Sequence, residues 1–138
     1  TTRVILISIP IAIFTVAVLL VHALMDYDFD KKSGKMTLCI LVGSKTAALN
    51  IIFALMIIAY AMTLWMIGTG YLPLEVGASF GTLVIMLPLY KRMANYISTK
   101  THADNDFITN FGLTRNIGTI YCLVVAASIF IEKFLFNS

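Results

Sequence analysis

The sequence predicts an all-α fold, a polytopic membrane helix bundle with four transmembrane helices. Three observations predict it. The chain is 59% hydrophobic and only 12% charged, with a mean hydropathy of +0.91, whereas a soluble domain carries about 25% charged residues. Long apolar stretches recur four times, over about residues 4–25, 46–69, 71–90 and 111–134. Charged residues collect between them, chiefly in 26–45 and 91–115. A length of 138 residues suits one soluble domain, but the charge content rejects that class.

Residues 4–25 carry no charge and exceed the roughly 20 residues that cross a bilayer core. Pro10 lies inside this stretch, where a bundle tolerates it as a kink rather than an end. The stretch is too long for the apolar core of a signal peptide and lacks a small-residue cleavage site, so it reads as mature structure. Residues 46–69 form a second uncharged run, and Gly68-Thr-Gly70 then makes a tight turn. The third stretch, 71–90, has Glu75 near its start, where a carboxylate suits the helix dipole. The fourth, 111–134, has an uncharged core over 116–131, flanked by Arg115 and Lys133, which must snorkel to the interface. The chain starts at Thr1 rather than Met, which leads us to expect that it begins partway through a longer protein.

Four spans leave two loops at one side and one turn at the other. The two loops carry Lys31, Lys32, Lys35, Lys45, Lys91, Arg92, Lys100 and Arg115, against Arg3 and Lys133 at the other side. The positive-inside rule therefore places both loops in the cytoplasm and both ends of the segment outside it. There is no basic run of the kind that binds nucleic acid. Cys39 and Cys122 have neither paired nor metal-type spacing and read as small core residues.

The stretch Asp26-Tyr-Asp-Phe-Asp-Lys-Lys-Ser-Gly-Lys-Met-Thr37 carries the chemistry. It follows an uncharged span and holds three of the chain's seven acidic residues and three of its ten basic ones. A carboxylate at the centre of a membrane helix costs roughly 2.5 to 3.5 kcal/mol. The cost falls toward the interface, yet three like charges together still call for a cation. If the first helix continues past Met25, Asp26 and Asp30 lie one turn apart on one face. Two such carboxylates suit Mg²⁺, which takes oxygen ligands and commonly only one or two carboxylates beside substrate phosphates. Asp28 points elsewhere on a helix, to pair with Lys32 or to assist the metal through water. Lys31, Lys32 and Lys35 offer positive charge to a polyanion, and Ser33-Gly34 lets the chain turn. A calcium EF-hand is excluded, because its sixth position would be Lys31 rather than Gly and its twelfth Thr37 rather than Glu. The plainer reading is a solvated, charge-balanced loop that marks the cytoplasmic side.

The pattern Asp26-Tyr-x-x-Asp30-Lys-Lys-x-Gly34-x-x-Thr37-Leu-x-x-x-x-Gly43 resembles the second aspartate-rich motif of the UbiA-type intramembrane prenyltransferases. That motif, too, follows one membrane helix and precedes the next. Phe111-Gly-Leu-Thr-Arg-Asn116-Ile-Gly118 is similar to the polar entry into that family's last helix. The resemblance implies the C-terminal half of a roughly nine-helix bundle. It also implies transfer of a prenyl group from a prenyl diphosphate to a lipophilic, aromatic acceptor within the membrane. Asp26 and Asp30 become Mg²⁺ ligands with the catalytic role, and Lys31, Lys32 and Lys35 diphosphate-binding residues. The family's first aspartate-rich motif has no counterpart here, since Asp104-Asn-Asp106 has the wrong spacing and a polar setting. The implied partner is therefore an N-terminal half that carries that motif.

His22, four residues before Asp26, reads either as an interior histidine bonded to a neighbouring helix or as a contact for the acceptor or a phosphate oxygen. Arg115 and Asn116 are candidates for lining the site at the start of the fourth stretch. Asn50 reads as interhelical glue. Trp65, Tyr71 and Tyr90 read as interfacial aromatics. The rival to the enzyme reading is a small four-helix membrane transporter, or a noncatalytic assembly or regulatory protein with an acidic cytoplasmic loop.

Overall fold

The structure, a computed structural model, describes residues 2–99 and 105–136. Lys100 and Asp104 lie outside the described residues, and of Arg3 and Asp106 only the backbone is described. Helix α1 runs over Thr2–Met25 and passes through Pro10 without ending. Two short helices follow, α2 (Tyr27–Lys32) and α3 (Leu38–Leu41). Helix α4 spans Lys45–Gly68. A 3₁₀ segment, Leu74–Thr82, leads into α5 (Leu83–Thr99), and α6 (Asn105–Ile131) ends in a π turn, Glu132–Phe136. Among the described residues, four helical segments are long and apolar enough to cross a membrane: Val4–Met25, Lys45–Gly68, Leu74–Ser98 and Ile108–Phe134.

The helices pack side by side in antiparallel pairs around aromatic residues. The Phe14 ring of α1 stacks on Tyr121 of α6 at 4.5 Å between centroids and meets Tyr60 of α4 edge-on at 5.3 Å. These geometries suit the ring quadrupoles. The Tyr121 hydroxyl is hydrogen-bonded to Thr63, and that of Tyr60 to Thr82 in the 3₁₀ segment. A buried hydroxyl has no water to turn to, so pairing within the bundle stabilises it. Nearer the acidic stretch, the Tyr90 hydroxyl donates to Asn50 Oδ1 at 2.9 Å, which makes Asn50 a link between α4 and α5. At that same end the His22 ring of α1 lies 3.9 Å from Phe111 of α6. The connection 26–44 and the end of α5 therefore share one end of the bundle. Outward faces carry Val4, Leu19, Leu64, Val84 and Leu123, all exposed, as a surface bathed in lipid requires.

Two boundaries differ from those expected. The third segment, read as 71–90, starts at Leu74 and runs to Thr99. Its first nine residues, Leu74–Thr82, are 3₁₀, and they include Val76, Gly77, Ser79, Gly81 and Thr82, poor α-helix formers. Tyr71 precedes the helix and stacks on Trp65 at 6.1 Å. Beyond Tyr90 the helix continues because Leu89, Met93 and Ile97 keep one face against the core. The fourth segment starts at Asn105, not near 111, and its buried stripe, Asn110, Thr114, Ile117, Tyr121 and Val125, runs past the charged Arg115. A search for uncharged runs overlooks such amphipathic ends. Lys91, Arg92 and Arg115, expected in a loop, are thus helical.

Candidate active site

The acidic stretch keeps a helical path. The Asp26 N–H donates to the His22 carbonyl at 3.2 Å, and the Asp30 N–H to the Asp26 carbonyl at 2.8 Å. His22, Asp26 and Asp30 therefore follow one another at single-turn intervals across the junction of α1 and α2. Asp26 is exposed and its side chain makes no cap bond. Asp30 is buried, its side chain only 4% exposed.

Gly34 determines what meets Asp30. Its φ of 73° is left-handed, a region in which glycine escapes the Cβ clash. The turn closes with the Gly34 N–H on the Lys31 carbonyl at 3.4 Å and the Lys35 N–H on the Asp30 carbonyl at 3.0 Å, the pairing of a Schellman C-cap. Lys35 is thereby folded back, and its Nζ lies 3.3 Å from Asp30 Oδ1. The rest of the connection is built by local caps. The Thr37 hydroxyl accepts from the Ile40 N–H at 3.4 Å and starts α3. Gly43, with φ 87°, ends α3. The Ser44 hydroxyl accepts from the Ala47 N–H at 3.1 Å and starts α4. The small and polar residues of the motif thus set a fixed chain path.

Asp28 pairs with Lys45 at 2.5 Å, not with Lys32. It leaves the edge shared by Asp26 and Asp30, and Lys45 at the start of α4 is near enough to meet it. Tyr27 is buried, with Lys31 Nζ 5.9 Å and Lys45 Nζ 5.7 Å from its ring centroid. Lys31 therefore leans on an aromatic face, and Lys32 is exposed. Sequence reasoning gave Lys45 a topological role only. The signal it passed over is a cation on the first residue of a helix, where the dipole opposes it.

The remaining candidates differ from the readings given them. His22 is exposed, with its ring against Phe111 rather than hydrogen-bonded in the interior. Arg115 and Asn116 sit about three turns inside α6 on its exposed side, flanking the buried stripe rather than opening the helix. Among the described residues, no hydrogen bond or ion pair joins either side chain to Asp26, Asp28 or Asp30. Cys39 is buried against α1, its thiol 3.5 Å from the Leu20 carbonyl, and burial pushes its pKa up. Cys122 is half-buried and lines an open apolar groove of about 480 Å³ between α1 and α6.

Among the described residues, no group of three His, Cys, Asp or Glu side chains is placed to hold a metal ion. Asp26 and Asp30 are two, one turn apart and both hard oxygen donors. That set fits a Mg²⁺ ion which completes its shell with water and phosphate oxygens. It does not fit a closed protein cage.

This geometry has a counterpart among known proteins. Residues 1–114 match the UbiA prenyltransferase family. The chain belongs to the UbiA prenyltransferase family. The acidic turn, its glycine caps and its lysines all lie within the matched UbiA region. Among curated UbiA relatives is the 1,4-dihydroxy-2-naphthoate octaprenyltransferase of Bacillus subtilis (strain 168). It is 32% identical over 120 residues, which cover 79% of this chain and 38% of that protein. The chain spans well under half the length of that relative. No solved structure matches it. UbiA membership and four apolar helices make this an integral, multi-pass membrane protein.

Proposed function

We propose that the chain forms one wall of a prenyl-transfer site, at which a prenyl group passes from its diphosphate to a lipophilic aromatic acceptor within the membrane. The observation that carries this reading is the helical turn of Asp26 and Asp30, with Lys35 folded onto Asp30, in a UbiA family chain. Asp26 and Asp30 would hold Mg²⁺, which would supply neutralising charge to the leaving diphosphate. Lys31, Lys32 and Lys35 supply further cationic charge around it. The prenyl C–O bond breaks with its electron pair going to the diphosphate. The acceptor forms the new bond and loses a proton. Apolar helix faces keep water from the electron-poor prenyl carbon.

The acidic end faces the cytoplasm in this reading. Lys31, Lys32, Lys35, Lys45, Lys91 and Arg92 cluster there, which supports it through the positive-inside rule.

The test is transfer by membranes carrying the whole gene product that contains this chain, supplied with octaprenyl diphosphate and 1,4-dihydroxy-2-naphthoate, the substrates suggested by the name of the relative. The expected result is a prenylated acceptor that forms only with Mg²⁺ and is abolished by Asp30→Asn. Unchanged transfer in that variant overturns the assignment. No transfer to any lipophilic acceptor, with normal insertion, moves the reading to a transporter or assembly protein.

A further inference from the structure

Lys45 makes two contacts with the acidic turn, although it lies 17 residues further on. Its Nζ is 2.5 Å from Asp28 Oδ2 and 5.7 Å from the centroid of the Tyr27 ring. The lysine side chain is 24% exposed and that of Asp28 43%, so the pair is partly buried. A cation on the first residue of α4 opposes the helix dipole, and the Asp28 carboxylate offsets that cost.

The contacts fall on a particular side of the turn. Helical residues advance about 100° each, so Asp26 and Asp30 lie about 40° apart, while Asp28 points about 180° from their mean direction. Tyr27 lies between the two directions, and its buried ring faces the bundle. Lys45 thus grips the back of the turn. Both ends of the grip are anchored. Gly43 and Ser44 fix the start of α4, and the two backbone hydrogen bonds from His22 through Asp26 to Asp30 fix the turn to α1.

We propose that Lys45 is a positioning residue, which holds Asp28 and Tyr27 on the back of the turn and so keeps the Asp26–Asp30 edge aimed at the metal and diphosphate. This rests on the prenyl-transfer reading above. Asp28 is then an anchor and not a metal ligand. Without Lys45, Asp28 and Tyr27 lose their link to α4, the side chains of the turn lose their fixed aim, and Asp28 competes with Asp26 and Asp30 for a cation.

The experiment measures Mn²⁺ binding by electron paramagnetic resonance, with inorganic pyrophosphate and no prenyl substrate, on the whole gene product in detergent. The Mg²⁺ concentration for half-maximal prenyl transfer is read in parallel. Lys45→Ala and Asp28→Asn should each weaken Mn²⁺ binding about tenfold, the effect of removing a group that orients a metal ligand, and raise the Mg²⁺ requirement alike. Lys45→Arg should stay near wild type, and the exchanged pair Lys45→Asp with Asp28→Lys should recover most of the loss. A purely structural role lowers the yield of folded protein and leaves the Mn²⁺ affinity of the folded fraction unchanged, which overturns the proposal. Equal affinity in wild type and Asp28→Asn overturns it too, and that variant retains the full lysine side chain for packing. Wild-type protein that binds no Mn²⁺ and transfers no prenyl group removes the functional reading itself. Wild-type protein that does both, beside a Lys45→Ala variant indistinguishable from it, removes only the role of Lys45.

Discussion

Lys35 is bound to Asp30 twice, through its backbone N–H on the Asp30 carbonyl at 3.0 Å and through its Nζ 3.3 Å from the Asp30 carboxylate. The left-handed Gly34 between them makes both contacts compatible. A residue confined to φ below zero would send Lys35 away from the turn.

Gly34→Ala should therefore cost about 1–2 kcal/mol, the left-handed penalty for a residue with a Cβ. The cost is conformational, because nothing lies within 4 Å of the added Cβ. Gly68→Ala is the control, since its Cβ also meets nothing within 4 Å but its φ is helical. It should be neutral or slightly stabilising. Thermal unfolding in detergent checks both.

Asp26 and Asp30 should separate activity from stability. Both Asn variants lose Mg²⁺-dependent transfer in the proposed function. Asp26→Asn should change stability by less than about 0.5 kcal/mol, as for exposed sites without special contacts. Asp30→Asn should lose roughly 1 kcal/mol, since Lys35 faces an amide in place of a carboxylate. Paired unfolding and transfer measurements distinguish them, and equal stability losses contradict the difference in burial.

Helix α6 lies against α1 at Gly118. A Cβ there meets Val18 Cγ2 at 3.4 Å and Phe14 Cδ1 at 3.6 Å, ordinary contact distances. Gly118→Ala should be tolerated, whereas Gly118→Leu forces the helices apart at a cost of about 1–3 kcal/mol. Unfolding midpoints of the two variants check the order.

Cys39 should react slowly with a water-soluble maleimide. Burial raises its thiol pKa, so at pH 8 it holds less thiolate than a free cysteine. In a Cys122→Ser background, labelling should accelerate on unfolding to the rate of a model thiol. The sign carries over to stability. This contribution is fully present below the ordinary thiol value and is lost as the pH rises from there through the folded value.

The four spans were legible because hydropathy is a local sum, and a charge-free run such as 46–69 declares itself without its neighbours. The third span shows the limit. Its α5 portion passes Lys91 and Arg92 because Leu89, Met93 and Ile97 pack inward, and a stripe carries no signal in a search for absent charge. The turn of Asp26 and Asp30 was legible from i, i+4 spacing. The partners of Asp28 and His22 were not.

The sequence by itself determined an all-α membrane chain, the position of its acidic turn and the chain reversal at Ser33-Gly34. All of these follow from residues within a turn or two of one another. Only the tertiary structure decided that Asp28 is held by Lys45, that His22 lies on Phe111 and that Arg115 and Asn116 face outward from α6. Those outcomes depend on how antiparallel helices close against each other. A contact between residues 17 or 89 positions apart is fixed by the rotation of whole helices about their axes, which no local spacing encodes.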